Sequence, residues 1–239
     1  MKVLAIDTSS TVATVAIMDD EKLIGEYTIN DKMTHSQKLM PIIRDIMKAS
    51  DLNIDEIDVF GVSKGPGSFT GLRIGIATIK SLAHSVEKDV VGISTLDALA
   101  FNIPFSNGII VPIMDARRER VFTGIYKWES GGLHIIRENM VIEVDELMKI
   151  LKERPENIIF NGDGTLVYKD KIIKELGDKS IFAPKHANMA RASSIAELTM
   201  AQAKEGKTES YLTLVPNYLR ESQAQRELDK KNCEVDKNE

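Results

Sequence analysis

The sequence predicts an α/β protein built from two similar lobes, each with a mixed sheet and flanking helices. Short β-branched runs alternate with stretches of helical periodicity, and the order of these elements in the first half recurs in the second. The first strand of each half ends in an aspartate, in AIDTSS and IMDARR. A later strand runs into GPGS in one half and GDGT in the other. Such a pattern is typical of a layered fold in which helices cover a mixed sheet.

The first lobe, residues 1–104, is predicted to contain elements in the order β, β, β, α, β, α, β, α. DDEK at 19–22 is the turn between the second and third strands, and a capping box of Thr34 and Gln37 starts the first helix at about His35. In chain order the segments are KVLAIDT, VATVAIM, KLIGEYTI, HSQKLMPIIRDIMKAS, IDVFGVSKG, the helix over 70–86, VVGIS and LDALAF.

The second lobe, residues 105–220, is predicted to repeat this order. Its segments are IIVPIMDA, RVFTGIYKW, LHIIREN, the helix VDELMKILKER and the strand and turn NIIFNGDGT, after which the chain is predicted to be mostly helical to about Gly206. Residues 221–239 contain almost no apolar residues, so we expect a charged, disordered tail.

Composition narrows the class of protein. A chain of 239 residues with 43% hydrophobic residues can bury a sizeable core. Its net charge of -5 argues against binding nucleic acid alone, because such binding relies on clustered Lys and Arg. The single cysteine, Cys233, excludes an internal disulfide and a thiolate metal cluster. Asp7 interrupts the first apolar run and no stretch has the length of a membrane span, so we expect a cytoplasmic protein with no membrane contact.

The stretch KGPGSFTGLRIGIATIKSLAHS looks at first like a phosphate-binding loop that leads into a helix. A Walker A loop has four residues between its glycines, whereas five separate Gly65 from Gly71 and no lysine follows. The dinucleotide-binding pattern requires Gly or Ala where Thr70 stands. Ser68 lacks the flanking glycines of a nucleophile elbow, which makes a helix N-cap at Ser68 or Thr70 the better interpretation.

Other candidates for chemistry are few. The four histidines have no spacing that indicates a base or a metal site, and HExxH is absent. Asp7 and Asp115, each at the end of a first strand, are the best ionisable candidates because sites form at the carboxyl ends of such strands. Caps of the turns that follow are an equal alternative for both residues.

The helix after the loop carries two glycines on one face, Gly71 and Gly75. Glycine inside a helix costs about 1 kcal/mol relative to alanine. Close packing of another helix would compensate for that cost. The spacing leaves open whether this helix is the one over 35–48 of the same chain or belongs to a second protein.

Several segments resemble, in order, the TsaB (YeaZ) family, and the resemblance extends to about Arg220. They are LAIDTSS, HSQKLMPII, GPGSFTGLRIGIATIKSLA, ISTLDALA, MDARRERVF, NGDGT and VPNYLR. The resemblance implies the duplicated ribonuclease H-like fold of the acetate and sugar kinase, Hsp70 and actin class. It also implies a non-catalytic subunit that pairs with the paralogue TsaD and the ATPase TsaE to attach a threonylcarbamoyl group to N6 of adenosine 37 in tRNAs that read ANN codons.

The same resemblance implies that the functional residues of catalytic relatives are missing. Thr95 and Leu99 stand roughly where TsaD carries its metal-binding histidines. We therefore expect no metal in this chain and no tightly bound cofactor, with ATP and metal used by the partner subunits. Kinases of this fold begin with Asp-x-Gly-Thr, whereas this chain has a serine in place of the glycine. The remnants of a nucleotide site would be Asp7, Thr8, Asp115, Gly162 and Gly164.

The helices over 35–48 and 70–86 are then expected to form the contact with TsaD, or with a second copy of the chain when TsaD is absent. The expected contact residues are Leu39, Ile42, Ile43, Ile46, Gly71, Gly75, Ile79 and Leu82. tRNA would be contacted only through the complex. Two alternatives stay open: an ATPase or kinase of the same fold that uses Asp7 and the GDGT turn, and a glycoprotease-like peptidase.

Overall fold

The computed structural model describes residues 1–31 and 35–220. The predicted tail over 221–239 and Thr34 of the predicted capping box lie outside these residues. Within these residues, the first lobe contains five strands and three α-helices in the predicted order. They are β1 (Val3–Asp7), β2 (Val12–Met18), β3 (Leu23–Asn30), α1 (His35–Ala49), β4 (Val59–Gly65), α2 (Phe69–Ser85), β5 (Val90–Ser94) and α3 (Thr95–Phe101).

The second lobe repeats the strand arrangement. Its elements are β6 (Ile109–Asp115), β7 (Arg120–Glu129), β8 (Gly132–Glu143), α4 (Val144–Lys152), β9 (Ile158–Asn161), α5 (Gly164–Leu176), β10 (Ser180–Phe182) and α6 (Ala192–Lys204). The sheets have the orders β3-β2-β1-β4-β5 and β8-β7-β6-β9-β10, which are equivalent when each lobe is numbered from its own first strand. In both sheets the first three strands are antiparallel and the last three are parallel. The predicted duplicated α/β fold is therefore confirmed.

Two details of the second lobe differ from the prediction. The strand LHIIREN continues to Glu143, and the region predicted as mostly helical contains β10 and an irregular segment before α6. A three-residue strand is too short to show a period of two, so the sequence gives no signal for β10. It is ordered by parallel pairing with β9.

The two lobes do not divide at a single point in the chain. Helix α6 packs on the first sheet, where Ile195 and Met200 join Val3, Val59 and Val91 in one buried cluster. Residues 207–220, which we call the C-terminal strap, also return to the first lobe, and Leu214 is buried in its core. The boundary at 104/105 stays a prediction, whereas the assignment of α6 and of Leu214 to the second lobe is corrected, because both pack in the first lobe. Helical periodicity identifies an apolar face without indicating which sheet covers it.

Candidate functional site

The loop that joins β4 to α2 makes a helix cap. Ser68 is the N-cap residue of α2, and its Oγ accepts a hydrogen bond from Gly71 N at 3.3 Å. The backbone N–H of Ser68 donates to Ser9 O at 2.6 Å. Ser9 lies in the turn between β1 and β2. Part of the hydrogen-bonding capacity at this helix terminus is therefore used by the protein itself.

The glycines of the loop and of α2 make room for the same turn. A Cβ atom on Gly67 would lie 2.4 Å from Ser9 O, and one on Gly71 would lie 1.9 Å from Thr8 O. A Cβ on Gly75 would lie 2.5 Å from Thr8 Oγ1. Thr8 Oγ1 also donates to Gly71 O at 2.8 Å. The close approach that the sequence predicted for these glycines is real, but the approaching group is the β1–β2 turn and not another helix.

Asp7, at the carboxyl end of β1, is completely buried. Its Oδ1 accepts a hydrogen bond from Ser9 N at 2.7 Å, whereas Oδ2 has no hydrogen-bond partner in the described part of the chain. Burial raises the pKa of this carboxyl above its usual range, and the hydrogen bond from Ser9 opposes the rise only in part. The turn and the buried hydroxyls separate Asp7 from solvent, so a nucleotide could reach it only if the turn moved.

The corresponding turn of the second lobe is also internally bonded. Asp115 Oδ1 accepts hydrogen bonds from Arg117 N at 2.8 Å and from Tyr168 Oη at 3.2 Å. Asp163 Oδ1 accepts from Asp115 N at 3.2 Å. Burial is the main cause of a raised pKa at the Asp163 carboxyl, and the nearby charge of Asp115 adds to it. Burial and the same charge raise the pKa of Tyr168 to about 12.

The glycines of the GDGT turn have a structural explanation. Gly162 has a φ of +94°, and a Cβ there would lie 2.3 Å from Ile113 O. A Cβ on Gly164 would lie 2.9 Å from the same carbonyl oxygen. Both glycines therefore allow the chain to pass close to β6. Among the described residues, the hydrogen bonds of the Asp7 turn share no residue with those of the Asp115 turn.

Thr95 and Leu99, which the resemblance was expected to place at metal-ligand positions, are both buried. Thr95 Oγ1 and Ser63 Oγ are hydrogen bonded at 2.5 Å. Leu99 is 3% exposed, and its carbonyl oxygen accepts a hydrogen bond from Asn161 Nδ2 at 2.6 Å. Within 1–31 and 35–220, no group of three or more His, Cys, Asp or Glu side chains is arranged to hold a metal ion.

The predicted partner residues face inward. Leu39, Ile42, Ile43, Ile46, Gly71, Gly75 and Ile79 are buried in the first lobe, and Leu82 is partly buried against the same core. A partner cannot contact the seven buried residues while the lobe is folded, so their assignment is corrected, whereas that of Leu82 stays a prediction. Hydrophobic periodicity identified the core face of each helix. The exposed positions on the same helices include Met40, Pro41 and Arg44 on α1 and Arg73, Ala77 and Ser81 on α2.

Sequence reasoning missed an aromatic stack at the start of α2. The rings of Phe69 and Tyr218 are parallel, with an interplanar angle of 4° and centroids 3.9 Å apart. Arg73 Nε donates to Tyr218 Oη at 3.0 Å, and its guanidinium carbon lies 5.6 Å from the Phe69 centroid. Lys80 Nζ donates to Leu214 O at 3.1 Å, which fixes the middle of the C-terminal strap. The segment VPNYLR, which contains Tyr218, was recognisable in the sequence as part of the resemblance. Its contact with α2 forms only in the tertiary fold.

No helix in the described ranges is both long enough and apolar enough to cross a membrane. A family model described as TsaD, tRNA N6-adenosine threonylcarbamoyltransferase, matches residues 22–228.

Curated relatives match along nearly the whole chain. The tRNA threonylcarbamoyladenosine biosynthesis protein TsaB of Bacillus subtilis is 33% identical over 225 residues, which cover 94% of this chain and 96% of the relative. The protein of the same name from Escherichia coli is 27% identical over 95% of this chain and 98% of its own length.

Solved structures show the same fold. YeaZ from Pseudomonas aeruginosa superposes with a TM-score of 0.77 at 21% identity and covers 91% of this chain and 99% of its own. Another structure from that organism, described as similar to the peptidase YeaZ, has a TM-score of 0.75 at 21% identity over 92% of this chain and 99% of its own. The chain therefore belongs to the TsaB (YeaZ) family of tRNA threonylcarbamoyladenosine biosynthesis proteins.

Proposed function

We propose that this chain is a non-catalytic scaffold subunit that pairs with the catalytic paralogue TsaD and acts with TsaE in threonylcarbamoylation of N6 of adenosine 37 in tRNAs that read ANN codons. The observation that carries this proposal is that the β1–β2 turn fills the space at the N-terminus of α2, where a phosphate would bind. Thr8 and Ser9 occupy the space that the glycines leave open, and Ser9 O takes the Ser68 N–H. Where a catalytic relative would hold a phosphate, this lobe holds its own backbone.

The positions matched to the metal ligands support the same division of labour. Leucine has no donor atom in its side chain, and the Thr95 hydroxyl is already bonded to Ser63. Metal-assisted chemistry and ATP turnover would then belong to the partner subunits. This chain would contribute a surface that holds TsaD in its active assembly.

The partner surface would be formed by the outer faces of α1 and α2, which pack against each other. Ala77 and Ser81 are exposed and small, so a helix of the partner could approach α2 closely. Met40, which is 49% exposed, adds apolar area on α1. Burying this area would stabilise a helical bundle between the two proteins. In the absence of TsaD, the same face would pair with a second copy of the chain.

An omission experiment tests the role directly. TsaD, TsaE, ATP, threonine, bicarbonate, the enzyme that makes the adenylate and an ANN-decoding tRNA are incubated with and without this chain. We expect the modified nucleoside to accumulate only when the chain is present. Equal rates with and without it would overturn the scaffold role.

Ala77→Trp tests the proposed surface. The indole would hold the partner helix away from α2 and lower affinity for TsaD by about tenfold or more, since overpacking costs about 1–3 kcal/mol. Ala201→Trp is the matched control, because Ala201 is also an exposed alanine on a helix of the first lobe. Affinity is measured by titrating each variant against immobilised TsaD. If both tryptophan variants bind like the wild type, the surface lies elsewhere.

The two alternatives make distinct predictions. An ATPase that uses Asp7 would bind ATP in isolation and lose that binding in Asp7→Ala. The β1–β2 turn covers this carboxyl, which argues against such a site. A peptidase would need a nucleophile beside a base. His35 Nε2 instead lies 2.7 Å from the carbonyl oxygen of Ser10, and His84 Nδ1 lies 2.9 Å from Tyr211 Oη. These contacts favour the scaffold role over both enzymatic alternatives.

A further inference from the structure

The turn between β6 and β7 holds three consecutive non-glycine residues in the left-handed region. The φ angles of Arg117, Arg118 and Glu119 are +61°, +57° and +58°. Side chains with a Cβ atom adopt this conformation at a cost, and glycine or asparagine would adopt it more easily. Such conformations are found preferentially at sites where the side chains have a function.

The charges next to these arginines are already paired. Glu119 Oε2 accepts a hydrogen bond from Lys171 Nζ at 3.1 Å, and Arg120 donates to Glu143 Oε1 at 3.2 Å. The carboxylate of Asp115, beneath the turn, accepts from Arg117 N and Tyr168 Oη. Arg117 and Arg118 are exposed, and neither side chain has an ion-pair partner among the residues that the structure describes.

The C-terminal strap contacts the base of this turn and the start of α2, each through an arginine. Arg220 donates to Ala116 O, at the base of the turn. Two residues earlier, Tyr218 stacks on Phe69 and accepts a hydrogen bond from Arg73. Because successive Cα atoms are about 3.8 Å apart, Tyr218 and Arg220 are within about 8 Å of each other. The strap thus connects the β6–β7 turn to the start of α2.

We propose that Arg117 and Arg118 bind the phosphate backbone of the tRNA in the assembled complex. This inference rests on the proposed function, because the tRNA is the substrate of the complex there. Arginine's planar fork matches a phosphate group, and arginines interleaved with an exposed aromatic ring are typical of RNA-binding surfaces. A net charge of -5 keeps the isolated chain from binding RNA strongly, so Arg117 and Arg118 would contribute only beside the partner's surface.

The test compares tRNA binding by complexes of TsaD, TsaE and each variant of the chain. The variant Arg117→Gln/Arg118→Gln removes two positive charges. The control Lys149→Gln/Lys174→Gln removes two charges from exposed positions on α4 and α5 of the same lobe. We expect the arginine variant to weaken binding of an ANN-decoding tRNA transcript about tenfold at 0.1 M KCl, and to lower the slope of log K against log [KCl] by about 1 to 2. The control should change neither value.

A second variant separates binding from folding. Arg117→Gly/Arg118→Gly relieves the left-handed conformation, so its thermal midpoint should equal or exceed that of the wild type while tRNA affinity falls. Wild-type tRNA affinity in both arginine variants would overturn the proposal. An equal loss in the lysine control would overturn it too, because net charge alone would then explain the effect.

Titration with small anions tests whether the two arginines bind a small phosphate ligand instead of RNA. Inorganic phosphate and AMP are titrated into the isolated chain and into the Arg117→Gln/Arg118→Gln variant. Tight binding that the variant abolishes, together with unchanged tRNA affinity of the complex, would mean that the arginines serve a small phosphate ligand and that the RNA assignment is wrong. The omission experiment reads product formation, not tRNA affinity, so failure of the scaffold role is recognised separately.

Discussion

The substitution Gly71→Ala tests whether the β1–β2 turn is held firmly against the start of α2. In Gly71→Ala the new Cβ would lie 1.9 Å from Thr8 O, a backbone atom that cannot rotate away. Displacing the β1–β2 turn should cost about 1–3 kcal/mol of unfolding free energy. The gain in helix propensity is about 1 kcal/mol, so Gly71→Ala should be no more stable than the wild type. Urea denaturation measures the change.

The matched control for this substitution is Gly131→Ala. Its Cβ would have His134 Nε2 as nearest neighbour, at 3.8 Å, and the position is exposed. We expect a change within about 0.5 kcal/mol there. If Gly71→Ala is more stable than the wild type, the turn is free to move and the argument that it excludes a phosphate fails.

Single residues were predictable from the sequence where the determinant is local. The Ser68 cap and the aspartates at the ends of β1 and β6 follow from residue type and from position relative to a strand or helix. The neighbours of Gly71 and Gly75 were not predictable. Thr8 is more than sixty positions away in the sequence, and only sheet pairing brings β1 beside β4. The spacing showed that something packs closely on the glycines but could not identify it.

At the scale of elements, the docking of α6 on β3 depends on an ion pair. Arg191, the N-cap residue of α6, donates to Glu26 Oε2, and Ser193 N donates to Glu26 Oε1 at 3.0 Å. Burial raises the pKa of the Glu26 carboxyl, but Arg191 and Ser193 together outweigh burial and hold it below its usual range. This interaction therefore stabilises the fold above the ordinary Glu pKa of about 4.3 and is lost as pH falls through the lower, folded-state value.

Glu26→Gln should accordingly lower the unfolding free energy by about 1–3 kcal/mol at pH 7, because hydrogen bonds to a charged group are lost. The difference from the wild type should start to shrink below about pH 4.3, where the unfolded wild-type chain takes up a proton, and should vanish below the lower pKa of the folded state. Urea unfolding across pH 3 to 7 measures it. A difference that does not change with pH would mean that the Arg191 contact contributes no charge-dependent stability.

The helices illustrate what periodicity can and cannot predict. The spacing of Leu39, Ile43 and Ile46 correctly placed α1 and its apolar face, and the structure buries all three. An apolar face at helical spacing is first of all a core face, because burial there stabilises the lobe itself. A partner surface on the same helix consists of whatever remains outside. On α2 these are small and polar residues such as Ala77 and Ser81, which carry little signal in a single sequence.

At the scale of the whole molecule, the chain crosses between lobes more than once. After the second sheet is complete, α6 and the C-terminal strap return to the first lobe, and Arg220 reaches back to Ala116. Element order predicted the duplication because each lobe repeats the same succession of strands. It could not predict the return, since the sequence of α6 fits either sheet and the choice is made by packing.

Because α6 and the C-terminal strap pack on the first lobe, we expect the first lobe to fold only when they are present. Residues 1–104 lack α6 and should show no cooperative unfolding, because the face of the first sheet that Ile195 and Met200 cover would be exposed. Adding residues 190–220 through a short Gly-Ser linker should restore a cooperative transition. The ends to be joined are close, since Asn102 Nδ2 donates to Met189 O at 2.8 Å and Ser194 Oγ donates to Asn102 Oδ1 at 2.6 Å. Thermal melts followed by circular dichroism distinguish the two, and cooperative unfolding of 1–104 alone would show that α6 is dispensable for the first lobe.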